Sequence, residues 1–316
     1  MLRYSLLMLS LVSVGAMCMS GCAGPVTTAP PAEEVVGLEP YILVGESGRS
    51  GERTASDIIG QLFMRNHQIL GRYNPAGDPN RFVIVVANRY LLPTVAEYQP
   101  TVAFAVATRI AVTQEDDLTW VSYQNPEYWA NALYQEDYPA VSAGILAFKQ
   151  DLMEIMPRMR GLLNRPFGGS SGQPLTPEAL RTYRYNRQSE SLDDLVVLAE
   201  FNSFDEALAT VDNRLADSQE LSKVFELTVP GLDARLYGIA LGGETGDQEI
   251  IALLEEGGLE RSASLPYELL VLENKVVMLP VRYRLPLSFP AMDRDVYNQV
   301  EILEQNITAL LKTLVE

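Results

Sequence analysis

Between Thr101 and Val112 bulky apolar residues alternate with small ones. Val102, Phe104, Val106, Ile110 and Val112 share one parity, and Ala103, Ala105, Ala107, Arg109 and Ala111 share the other. A period of two predicts a strand with a bulky face and a small face. Gln114–Asp117 is a polar turn and Leu118–Tyr123 a second strand, so the stretch reads as a hairpin. The pattern returns later in the chain. Leu265, Leu269 and Val271 repeat the parity of Val106, Ile110 and Val112, Glu273-Asn274 makes the turn, and Val276–Arg284 is the return strand.

The remaining elements fall around these two hairpins. Tyr41–Val44 is a short strand, and Thr54 or Ser56 caps a helix that runs to about Asn66 with Ile58, Ile59, Leu62 and Phe63 on one side. His67–Arg72 and Arg81–Ala87 are strands, the second apolar enough to be buried on both faces. Arg89–Tyr98 is a short helix containing Pro93. Tyr138–Arg160 is a long one, with Val141, Ile145, Phe148, Leu152 and Ile155 at helical spacing and Pro157 and Gly161 at its end. In the other half, Leu195–Phe201 is a strand and Ser203 with Glu206 forms a capping box for a helix to about Ala216. Lys223–Val229 and Ala234–Leu241 are strands, Gln248–Glu256 is a short helix, and Arg294–Val315 closes the chain.

Both halves therefore run strand, helix, strand, strand, short helix, strand, strand, long helix. They also share a register: Leu91 falls over Ile250, Val95 over Leu254, Glu97 over Glu256 and Ile110 over Leu269, all at one offset. Hairpins demand antiparallel pairing, and one face of each sheet needs the long helices as cover. The expected fold is α+β, with two repeated domains at residues 41–161 and 195–316, each an antiparallel sheet with helices on one face. The other faces either meet across a pseudo-twofold or curve round a ligand. Between the domains, residues 162–194 form a connector. It holds Gly168-Gly169-Ser170-Ser171-Gly172 and a short helix started by Thr176-Pro177, which carries Arg181, Tyr183, Arg184, Tyr185 and Arg187. We read this basic stretch as a strap docking on the chain's own acidic domains.

The N-terminus adds a location. Residues 1–21 form a signal peptide, with Arg3 in its n-region and an apolar stretch at Leu6–Val14. The segment ends Met19-Ser20-Gly21-Cys22, which resembles a bacterial lipobox with Met19 in place of the usual leucine. That resemblance implies acyl chains on Cys22 and anchorage in a membrane. Ala23 and Gly24 follow rather than aspartate, which by resemblance to Gram-negative lipoproteins implies the outer membrane, facing the periplasm. Residues 22–40 are rich in Pro, Thr and Ala and read as a tether.

Composition narrows the chemistry. The 316 residues carry a net charge of −17, which disfavours nucleic acid and anionic headgroups as partners. Both cysteines, Cys18 and Cys22, lie at the N-terminus, and His67 is the single histidine. A disulfide framework in the body, a zinc or haem site and a nucleophile–histidine pair are thus not expected. Gly242-Gly243-Glu244-Thr245-Gly246 lacks the lysine of a phosphate loop, and Asp116-Asp117 reads as a solvated turn. Trp120, Tyr123, Tyr128 and Trp129 read as core and rim packing.

The strand Phe82–Asn88, the segment Leu91–Tyr98, the hairpin strand Val106–Thr113 with its turn Glu115-Asp116-Asp117, and Leu118–Pro126 (LTWVSYQNP) together resemble the bacterial domain-of-unknown-function family 302. The resemblance covers about Tyr41–Tyr128, and Leu195–Pro290 less closely. Its motif proline stands at Pro266 in the second copy but is Ala107 in the first. It implies two tandem copies of a curved antiparallel sheet with helices packed on it, similar to the TATA-binding-protein-like class. It implies no reaction and no cofactor.

Two mid-strand charges stand out. Arg109 and Glu268 occupy matching positions of the two copies, on the small-residue face, and buried charges need partners. If the repeats meet about a twofold, the two approach one another or line one cavity; the alternative is that each is separately exposed or locally paired. With Tyr123 they are the candidate ligand-binding residues. The reading is a tethered, non-enzymatic envelope lipoprotein. Its paired sheets bind a small apolar or amphipathic ligand; the alternative is a structural or assembly protein that engages another envelope protein through its surface.

Overall fold

The computed structural model describes residues 37–156, 163–169, 174–243, 246–254 and 262–316. The signal segment, Cys22, most of the tether, Pro157, Gly161, Gly172, Glu244-Thr245 and Glu256 lie outside the described residues.

Strand formation follows the apolar runs. In the first half the strands are β1 (Tyr41–Ser47), β2 (Ile69–Tyr73), β3 (Arg81–Ala87), β4 (Ala107–Glu115), β5 (Leu118–Gln124) and β6 (Arg165–Phe167). They form one sheet in the order β2-β3-β4-β5-β1-β6. The helices are α1 (Gly51–Met64), α2 (Pro126–Tyr134), α3 (Tyr138–Ile155) and α4 (Pro177–Arg181). In the second half β7 (Val196–Glu200), β8 (Leu221–Thr228), β9 (Ala234–Leu241), β10 (Tyr267–Leu272) and β11 (Lys275–Met278) form a sheet in the order β7-β11-β10-β9-β8. Its helices are α5 (Phe204–Asp217), α6 (Asp247–Leu254), α7 (Val281–Ser288) and α8 (Arg294–Lys312). Every pairing is antiparallel. The fold is α+β, and with β6 set aside the two sheets have one strand order.

Each sheet is covered by helices on one face. Phe82, Ile84 and Val86 of β3 and Ile110 and Val112 of β4 pack with Ile58 and Leu62 of α1 and Phe148, Leu152 and Ile155 of α3. Tyr237, Leu269 and Val271 likewise pack with Val211 of α5 and Val300, Leu303, Ile307 and Leu311 of α8. The other faces share a single core: Leu43, Val83, Val85, Ala107 and Ala111 from one sheet, and Leu227, Leu236, Leu270 and Val277 from the other. Strand β3 is accordingly buried on both sides, as its unbroken apolar run predicts. Edge strands β2 and β8 meet. Each carries a bulge, at Leu70 and Val224, and a Cβ added at Gly71 would lie 2.2 Å from the Val224 carbonyl oxygen. A glycine is needed there because two backbones touch.

Several expectations change. Pro100–Ala105 is a 3-10 helix and β4 begins at Ala107, so the alternation at Thr101–Val106 does not mark a strand. Val102, Ala103 and Phe104 are all buried, so parity there carried no face information, and Pro100 sits in the opening turn where its missing N–H costs nothing. The return strand of the second hairpin stops at Met278. Pro280 precedes α7, which takes Arg282 and Arg284 out of the sheet. Helix α2 was not anticipated, although Asn125 caps it by accepting from the Glu127 N–H and Pro126 opens it. Nor was β6. The segment around Pro93 is 3-10, and α3 ends at Ile155. The strap after α4 docks mainly through its tyrosines, not through carboxylates. Tyr183 is buried edge-on to Tyr283, Tyr185 stacks on Tyr297 at 4.0 Å, and Arg181 donates to Asn131 Oδ1. Its nearest carboxylate contact is Arg184 to Asp194 at 3.9 Å.

Candidate functional site: a buried charge cluster between the two sheets

Arg109 points to the shared core because its neighbours of like parity, Ala107 and Ala111, are small and leave that face open. It pairs with Val85 in β3, and Val85 in turn pairs with Gly71. In the other sheet Glu268 pairs with Gly238, and Gly238 with Phe225. The Phe225 ring covers Gly238 so closely that a Cβ there would lie 2.1 Å from it. Matching rows of the two sheets thus present one cation and one anion.

The structure brings them together. Arg109 Nη2 lies 2.5 Å from Glu268 Oε1, with both side chains buried. Arg109 also donates from Nη1 to the Ala107 carbonyl at 2.8 Å, and its own backbone N–H donates to Gln124 Oε1 at 3.1 Å. A second guanidinium, Arg284 of α7, approaches the other carboxylate oxygen: its Nε lies 3.8 Å from Glu268 Oε2. Arg284 donates to the carbonyls of Ser264 at 2.7 Å and Pro266 at 2.9 Å, and stands over the Tyr267 ring at 4.5 Å. One carboxylate therefore serves two arginines. Burial, and secondarily Arg284, pulls the Arg109 pKa down from its ordinary value, while Glu268 raises it.

A further pair adjoins them. Tyr73, on β2, lies beside Asp247, which opens α6 in the other half and accepts from the Leu241 N–H. Burial moves the Asp247 carboxyl up to about 7; the Leu241 and Tyr73 contacts and Arg284 act the other way. Burial and Asp247 push the Tyr73 phenol well above its usual range. With Asp247 ionised the cluster of two arginines and two carboxylates is neutral. Sequence reasoning found Arg109 and Glu268 but missed Arg284 and Asp247.

A cavity of about 20 Å³ borders the cluster, lined among others by Asn88, Thr108, Gln124, Trp129 and Ile145. That is room for about one water molecule. Asp247 does not line it. The other sequence candidates lie elsewhere. Tyr123 is on the opposite face of β5, buried against the helices, where burial raises its pKa; its hydroxyl has no hydrogen-bond partner among the described residues. Tyr123 is therefore not a member of this site. His67 is buried behind α3, 3.7 Å from Asp151 and beside Phe148, and burial lowers its pKa. Among the described residues no group of His, Cys, Asp and Glu side chains could hold a metal ion, and no helix is long and apolar enough to cross a membrane.

No family model matches the chain, and no curated protein matches it. Among solved structures it is similar to the uncharacterized conserved protein DUF302 from Bacillus stearothermophilus, at 12% identity over 37% of this chain and 93% of that one, with a TM-score of 0.30.

Proposed function

We propose that this chain is a non-enzymatic lipoprotein of the bacterial envelope that acts by binding another envelope protein through its surface. In this reading Cys22 carries acyl chains that anchor it, in the outer membrane facing the periplasm, and residues 22–40 lift the body off the bilayer. Residues 41–161 and 195–316 are tandem copies of the domain-of-unknown-function family 302, packed across the shared apolar core that encloses the charge cluster.

The size of the cavity at that cluster supports surface binding over ligand enclosure. Small-molecule sites occupy about 300–1,000 Å³, against about 20 Å³ beside Arg109 and Glu268. Both guanidiniums are engaged by Glu268 and by main-chain carbonyls, and only Arg109 Nε and Arg284 Nη1 are left without a hydrogen-bond partner among the described residues. Asp247 has a carboxyl with a pKa suited to general acid–base work but does not line that cavity. Native mass spectrometry of the gently purified full chain tests the reading. No mass beyond that of the acylated protein is expected, and a reproducible extra mass removed by denaturation would restore the ligand-carrier alternative. Cys22→Ala is expected to move the protein from the membrane fraction to the soluble one; retention on membranes would refute the anchor.

A further inference from the structure

The two sheets differ at one edge. In the first, the outer edge of β1 is covered by β6, where Tyr41, Ile42 and Leu43 pair with Phe167, Pro166 and Arg165. The added strand is held by a side chain as well: Phe167 is buried in the shared core, 5.5 Å from the Tyr41 ring. In the second sheet the corresponding edge strand is β7, and no described segment pairs with its outer edge. Val197, in its middle, is 50% exposed. An edge strand presents unpaired N–H and C=O groups, a template for another strand.

Beside that edge runs an open groove of about 490 Å³, bounded by Val196, Glu190, Asp194, Arg282, Glu304 and Lys312 among others. Its charges are uneven. Arg282 is already engaged by Glu190 and by Glu304 at 2.8 Å, with Glu301 at 3.8 Å. Glu190 Oε2 is nonetheless a buried acceptor with no hydrogen-bond partner among the described residues. Burial, and secondarily the Glu190 carboxylate beside it, lifts the Glu304 carboxyl above its usual pKa although Arg282 pulls it down. Three carboxylates, Glu190, Asp194 and Glu304, line the groove against two cations, Arg282 and Lys312, so it carries an acidic excess that a positively charged segment suits best.

We infer that the outer edge of β7 and the groove beside it take an extended, basic segment of a partner protein as an added strand. Main-chain pairing along residues 196–200 gives the affinity, and a lysine or arginine reaching Glu190 and Glu304 gives the preference. The inference rests on the surface-binding reading above and names the surface.

The test uses the full chain in detergent and three blocked octapeptides, alternating valine with lysine, threonine or glutamate. Saturable binding of the lysine peptide is expected, with slowed amide exchange at residues 196–200 and unchanged exchange at 41–47. Glu304→Gln is expected to weaken it by about tenfold or more, the loss of one charge-assisted hydrogen bond. Val197→Lys, an exposed substitution, is expected to abolish it through like-charge repulsion. No binding of the lysine peptide, equal binding of the glutamate peptide, or binding without protection of 196–200 would each overturn the inference. A photo-crosslinking residue at Val197, compared in cells with one at Phe63, separates the two levels. Crosslinks from Phe63 alone would sink the β7 inference and leave surface binding standing, whereas none from either position would remove both.

Discussion

Replacing Glu268 by glutamine removes the one carboxylate between two buried guanidiniums while keeping its shape. At an effective dielectric of about 20, unit charges separated by the 2.5 Å of the Arg109–Glu268 contact attract by roughly 6–7 kcal/mol. The 3.8 Å Arg284 contact adds roughly 4 kcal/mol. Desolvating the three ions costs several kcal/mol each, so the intact cluster contributes little net stability. Its removal is another matter, because Glu268→Gln leaves two buried arginines with no carboxylate between them. The expected loss is about 3–5 kcal/mol. Urea unfolding measures it, followed by tryptophan fluorescence and by circular dichroism. Both tryptophans, Trp120 and Trp129, lie in the first half, so fluorescence reports that half while circular dichroism reports both. In the wild type the two signals should coincide; in Glu268→Gln they should separate as the halves lose their common clamp. A double-mutant cycle with Arg109→Met isolates the pair, with an expected coupling of about 2–3 kcal/mol. A coupling below about 0.5 kcal/mol, or a single-mutant loss below about 1 kcal/mol, would refute the argument.

Other outcomes follow from single contacts. The fold favours the neutral form of Asp247, whose pKa is raised from 3.8 to about 7, so between those values the unfolded chain binds fewer protons than the folded one. Stability should fall as pH rises through that window, by up to ~1.4 kcal/mol per unit, and Asp247→Asn should flatten the curve. His67 has the opposite sign: burial lowers its pKa below 6.5, so its contribution is lost as pH falls through that value towards its folded pKa. Being the single histidine, it can be titrated directly by its ring proton resonance, and a midpoint at or above 6.5 would contradict its burial. Gly71→Ala, which drives a Cβ into the Val224 carbonyl, should cost about 2–3 kcal/mol by the urea midpoint. Tyr128→Phe removes the 2.7 Å hydrogen bond to the Leu287 carbonyl and should cost about 1–2 kcal/mol by the same measurement.

The periodic segments were legible because each has a wet side and a dry side. Helices α1, α3, α5 and α8 show this, as does the hairpin turn at Asp116. The juxtaposition of Arg109 and Glu268 was open to inference because a shared register put both charges on one row. Arg284 was hidden for a local reason: Val276–Arg284 alternates well enough to pass as one strand, and only Pro280 hints that the chain leaves the sheet to become α7. Thr101–Val106 misled for the converse reason, since Val102, Ala103 and Phe104 are buried on every side and offer no polar residue to report the period. Helix α2 carried its Asn125-Pro126 start signal openly. Asp247 gave no sign, because an aspartate at a helix start is ordinarily solvated, and here the Tyr73 strand of the other half closes over it.

The meeting of β2 and β8 at Gly71 and Val224 bears on how the chain is made and kept soluble. Each strand is the exposed margin of its own sheet, and each shields the other. A fragment holding only residues 37–156 would leave β2 uncovered, with its bulge and Gly71 facing water, and a second fragment is the nearest means of covering it. Expressed alone, either half is expected to pair with itself or precipitate, while the continuous chain stays monodisperse. Whether the chain leaves a ribosome or a translocation channel, the first half emerges with that margin bare and stays so until β8 arrives, about 150 residues later. That interval is when the protein most needs a chaperone.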